Sequence, residues 1–106
     1  LLKLFDDVRN YIYNIDDAVK EVPNKSYIAY KNGQNFACLQ VRKKKLLLYL
    51  KVNPNTQTPM PRQGRDVSKI SHSCTGSFEL TLESSKDFKE TKHLIDESYN
   101  KVAGEN

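Results

Sequence analysis

Residues 65–76 hold an arginine, an aspartate, three serines, a histidine, a cysteine and a threonine. His72 is the side chain best suited to acid–base work, because its ordinary pKa lies near neutrality. Asp66 and Arg65 are close in sequence, and a nucleophile, Ser73 or Cys74, stands within two residues of it. Triad members usually come from separate elements, and adjacent loop residues rarely meet the required geometry. The ordinary duties of these residues are structural: Asp66 caps the following turn and His72 bonds loop backbone. No catalytic residue is therefore assigned. Asp66, His72, Thr75 and Gly76 stand as candidates for a small-ligand pocket formed by the 53–76 loop.

A second group is basic. Arg42, Lys43, Lys44 and Lys45 form a run between two apolar segments, with Lys31, Lys51, Arg62, Arg65 and Lys69 able to join it along a sheet edge. Tyr27, Tyr30 and Tyr49 interleave with these charges. Cations with aromatics suit phosphate contact and base stacking. The competing reading is a solubilising turn whose lysines discourage strand-to-strand aggregation. The candidate nucleic-acid contacts are Arg42, Lys43, Lys44, Lys45, Tyr49 and Arg65, with DNA or RNA as partner. The net charge of +4 permits such a partner without demanding it.

Metal chemistry finds little support. Asp6, Asp7, Asp16, Asp17, Asp87, Glu90, Asp96 and Glu97 read as solvated helix faces, and Glu79 and Glu83 as a solvated strand face. His72 and Cys74 lack a second pair at zinc spacing. No metal ligand and no cofactor are predicted. Cys38 and Cys74, far apart in sequence, read as reduced thiols of a cytoplasmic protein. No apolar run approaches the ~20 residues of a membrane span. The chain opens on Leu1, already in helical phase, and reads as a single domain over residues 1–106, excised from a longer protein.

The elements that must position these residues follow from periodicity. Leu1, Leu4, Phe5, Val8, Ile12, Ile15 and Val19 step by threes and fours, which predicts a helix over residues 1–21, ended by Pro23. Residues 25–31, 35–42 and 45–52 read as a three-strand meander. Asn32-Gly33 is a hairpin signal of the type in which both central residues take positive φ. The third strand is apolar on both faces, which predicts a central position. Residues 53–64, with three prolines and a glycine, form an irregular loop. Residues 77–83 alternate as a strand. Ser84 to Asp87 resembles a capping box opening a helix over about 85–102, stopped by Gly104. The expected fold is α+β: a two-layer sandwich with an antiparallel sheet and both terminal helices on one face.

These segments, in this order, also resemble a known family. Residues 25–31, Asn35-Phe36, residues 45–50, Arg65-Asp66-Val67 and Thr75-Gly76 are similar to a bacterial and archaeal domain of unknown function. That domain occurs alone or at the C-terminal end of longer proteins, some labelled predicted transport proteins and others carrying a PD-(D/E)XK nuclease-like region upstream. Residues 71–76 match its Gly-His-Trp-Gly-Thr-Gly-like run at His72, Thr75 and Gly76 and depart at the other three. The resemblance implies a non-catalytic accessory module that binds nucleic acid or docks against an N-terminal nuclease-like region. The alternative is a small-ligand or catalytic pocket around His72 and Asp66.

Overall fold

The computed structural model of the chain describes residues 1–72 and 74–105. Its first helix, α1 (Leu2–Tyr13), buries Leu4, Val8 and Ile12 along one stripe. It is shorter than the apolar spacing suggests. Asn14 ends it by donating both its backbone N–H and its side-chain amide to the Asn10 carbonyl, at 3.1 and 2.7 Å. Asp16 then accepts the Ala18 N–H at 2.8 Å, a local bond that competes with helix. The chain continues as β1 (Lys20–Pro23), an edge strand in which a proline is tolerated. Glu21 of this strand accepts Arg9 at 2.7 Å and the Tyr30 hydroxyl at 2.8 Å. These bonds tie β1 to the helix and to its neighbour.

The expected meander follows as β2 (Ile28–Asn32), β3 (Gln34–Val41) and β4 (Leu46–Leu50). Gly33 turns at φ 78°, but no described residue other than glycine has positive φ, so the anticipated two-residue turn is not formed. The strands adjust through a bulge. Tyr30 pairs with Ala37 while Lys31 pairs with Asn35, leaving Phe36 as the extra residue. The Phe36 carbonyl, outside the ladder there, accepts the Ser98 hydroxyl at 2.5 Å, and Ser98 Oγ accepts the Lys51 N–H at 2.8 Å.

Beyond the long loop lie two strands rather than one, β5 (Gly64–Asp66) and β6 (Phe78–Leu82). β6 inserts between β4 and β5, giving one antiparallel sheet in the order β1-β2-β3-β4-β6-β5. The final helix, α2 (Ser85–Glu105), opens on the anticipated cap: Ser84 Oγ accepts the Asp87 N–H at 3.2 Å. Asp87 returns a bond to the Glu83 N–H at 2.9 Å. Gly104, expected to stop this helix, lies inside its last turn.

Leu4, Val8 and Ile12 of α1 and Leu94, Ile95, Tyr99 and Val102 of α2 share one buried cluster with Leu39, Leu48, Leu50, Phe78 and Leu80. Both helices therefore cover the same face of the sheet, and the fold is the two-layer α+β arrangement expected. The opposite face is not bare: Ala29, Cys38, Leu47 and Tyr49 on it pack with Val67 and Cys74, which follow β5.

Candidate functional site

Strand alternation sends Cys38, Tyr49 and Glu79 to the face away from the helices, where Cys38 pairs with Tyr49 and Tyr49 with Glu79. Val67 and Cys74 fold over them from the connection between β5 and β6, forming a second small apolar cluster with Ala29, Leu47 and Tyr27. The Tyr49 hydroxyl donates to Glu79 Oε2 at 2.7 Å. Burial, and then this bond to a carboxylate, push the Tyr49 pKa up to about 12. Arg65 of β5 pairs Nε with Glu79 Oε1 at 3.1 Å and donates a second nitrogen to Oε2 at 3.2 Å. His72 stacks on the Tyr49 ring, with centroids 4.9 Å apart and planes 17° from parallel. The Cys38 thiol is hydrogen-bonded to the Cys74 thiol, which lowers its pKa; burial opposes this, and the Thr75 N–H adds to it.

A cleft of about 270 Å³ opens beside this cover, at the end of β4. Lys51 and Val52 leave the strand into it, and Lys101 reaches it from α2. Asn53 forms one wall by capping the short 3-10 turn Pro54–Thr56, accepting the Asn55 N–H at 3.0 Å. The other wall comes from the two ends of the β5–β6 connection, Asp66 with Ser68 and Gly76 with Ser77. The Val67 N–H donates to the Ser77 carbonyl at 2.9 Å and holds those ends together. Gly76 turns at φ 81° directly against the β4 backbone, and a Cβ there would overlap the Leu50 carbonyl. Asp66 accepts the Ser68 N–H at 2.9 Å. Bonds from the Ser68 side chain and backbone, with the nearby Lys69 charge, hold its carboxyl below the usual range. The cleft is thus lined by two lysines, two asparagines and two serines beside one carboxylate that is already engaged. Among the described residues no group of three or more His, Cys, Asp or Glu could hold a metal ion.

The chain matches the model of the family described as a domain of unknown function, DUF5655, over residues 1–101. It belongs to that family. An uncharacterised protein of Haemophilus influenzae is similar to it, 28% identical over 94 residues that cover 88% of this chain. The chain spans 31% of the length of that relative. No solved structure matches it. No helix among the described residues is long and apolar enough to cross a membrane.

This DUF5655 domain distributes the residues singled out by sequence over three places. Asp66 and Gly76 line the cleft. His72 lies on Tyr49, and the Thr75 N–H helps to lower the Cys38 pKa. His72 and Asp66 therefore do not converge on one cavity. Ser73 lies outside the described residues. Arg42, Lys43, Lys44 and Lys45 form the exposed β3–β4 turn, where Arg42 donates to Gln40 at 3.3 Å. Tyr49 and Arg65, expected beside that turn as nucleic-acid contacts, share Glu79 instead. The Tyr49 ring has one face occupied by His72, and Tyr30 is fully buried on the helix side. Glu79, read as a solvated strand residue, is buried, with Tyr49 and Arg65 both bonded to its carboxylate. Of the cleft residues, the sequence reading placed Lys51 with the basic sheet edge, included Asn53 and Asn55 only within the 53–76 loop, and did not single out Ser77 or Lys101. Their one local signal was the Asn-Pro-Asn run after β4, which marks a side-chain-capped turn.

Proposed function

We propose that this domain is a non-catalytic binding module and that its cleft holds an anionic group, a phosphate or a carboxylate, of its ligand. One observation carries the reading. Lys51 and Lys101 reach the cleft from different elements together with amide and hydroxyl groups, while Asp66 is already engaged by Ser68. The Lys51 ammonium donates to a neutral group, Gln34 Oε1, at 3.0 Å, and among the described residues it has no ion-pair partner. A catalytic reading loses support because His72 and Asp66 occupy different places. The test is a two-dimensional NMR titration with inorganic phosphate at low salt. Amide shifts concentrated at Asn53, Asn55, Gly76 and Ser77, and abolished in Lys51→Ala/Lys101→Ala, are expected. Uniform or absent shifts would defeat the reading.

A second reading keeps the basic turn as a DNA or RNA contact. It rests on four adjacent exposed cations, Arg42 to Lys45, for which the described residues contain no ion-pair partner. Binding there should be weak, sequence-independent and steeply salt-sensitive. The accessory place beside a nuclease-like region and the cytoplasmic location belong to this reading. They rest on the family resemblance and on cysteine usage.

A further inference from the structure

Cys38 and Cys74 are 36 positions apart in sequence, yet the fold seats them in one small cluster on the face away from the helices. Cys38 is fully buried in β3, the third strand of six. Cys74 sits above it, half-buried, in the connection that covers the sheet. Both side chains pack in that one cluster with Ala29, Leu47, Tyr49 and Val67, and the Cys74 thiol lowers the Cys38 pKa as a close neighbour does.

We propose that Cys38 and Cys74 form a redox pair that closes to a disulfide by exchange with a small-molecule disulfide, stapling the 67–77 connection onto β3. Burial assigns the order. Cys74, the member that solvent reaches, attacks one sulfur of the small disulfide as its thiolate. That forms a mixed disulfide and expels one thiolate. Cys38 then attacks the Cys74 sulfur, expels the second thiolate and leaves the protein bridge. The two cysteines give up two electrons and two protons, and the small disulfide becomes two thiols. Gly76 and Ser77, which follow Cys74 closely, form one wall of the cleft. The bridge would therefore fix that wall, a role independent of what the cleft binds.

The experiment treats the folded 106-residue chain with oxidised glutathione, quenches it by alkylation and reads intact mass and peptide maps. Wild type should lose both alkylatable thiols and two hydrogens of mass, with a crosslinked peptide joining Cys38 to Cys74. Cys38→Ser should stop at a glutathione adduct on Cys74, because the resolving thiol is gone. Its folding is checked by circular dichroism, and the wild-type result stands without it. A wild-type adduct on Cys74 that persists, thiols that stay alkylatable throughout, or a bridge that forms only in denaturant would each overturn the proposal.

Discussion

Removing the Asp87 carboxylate should loosen the hold of the long loop on the start of α2. Asp87 is only 4% exposed, yet three groups converge on it: the Glu83 N–H at 2.9 Å, Gln63 Nε2 at 3.1 Å and Arg62 at 2.8 Å. In Asp87→Ala the helix-start bond should cost about 1 kcal/mol, as caps generally do. Gln63, itself buried, loses one of two acceptors and keeps Glu90 at 2.8 Å, for about another 1 kcal/mol. Arg62, with a side chain 67% exposed, keeps its pairing with Glu90 at 3.6 Å, so the lost bond adds between zero and about 0.5 kcal/mol. The sum is about 2–2.5 kcal/mol, or a fall in melting temperature of roughly 10–15 °C for a chain of this size.

Urea denaturation at pH 7 reads the loss directly through the midpoint at unchanged slope. Its pH dependence is a second check. Burial alone would raise the Asp87 pKa, but the bonds from Glu83, Gln63 and Arg62 outweigh it, and the folded value lies below the ordinary 3.8. A depressed folded pKa means that the unfolded chain binds the proton more readily. The stabilisation is therefore complete above the unfolded pKa and disappears as pH falls through the folded one. The gap between wild type and Asp87→Ala should hold steady from neutrality down to about pH 5 and shrink below about pH 4. A loss under about 0.5 kcal/mol at pH 7, or a gap that widens in acid, would refute the reasoning.

Two further substitutions test the site. Gly76→Ala places a Cβ against the Leu50 carbonyl at a positive φ, and should cost on the order of 2–3 kcal/mol in the same assay, with Leu50 and Lys51 amide resonances displaced. Tyr49→Phe leaves the ring under His72 but removes the 2.7 Å bond to buried Glu79, for about 1.5 kcal/mol; an unchanged midpoint would mean that Glu79 finds another donor.

The two layers could be read in advance because they rest on periodicity. α2 repeats its apolar positions Leu94, Ile95, Tyr99 and Val102 without interruption, and β6 alternates cleanly. The first helix misled for a physical reason. Ile15 and Val19 continue the helical phase of Ile12 by coincidence, across a turn that Asp16 holds by side-chain bonding. β1 and β5 are short edge strands whose existence depends on a partner strand, and β1 also on Arg9 and Tyr30, far away in the chain. The cleft was illegible for the same reason, since Lys51, Asp66, Ser77 and Lys101 meet only after the sheet has formed. Glu79 could not be recognised as buried, because its partners Tyr49 and Arg65 come from two other strands.

The place of β6 has a kinetic corollary. Among the described residues β5 meets the sheet only through β6, which the ribosome delivers after it. Nascent β5 therefore has nothing to zip onto until the later strand has threaded into its slot beside β4. Both connections that wall the cleft are tethered to β5, and they settle in the same closing step. Run backwards, the same order makes this edge a separable foldon. Amide protons of Gly64–Asp66 should exchange with solvent through an opening that leaves β2, β3 and β4 protected, so the cleft can come apart without the domain unfolding.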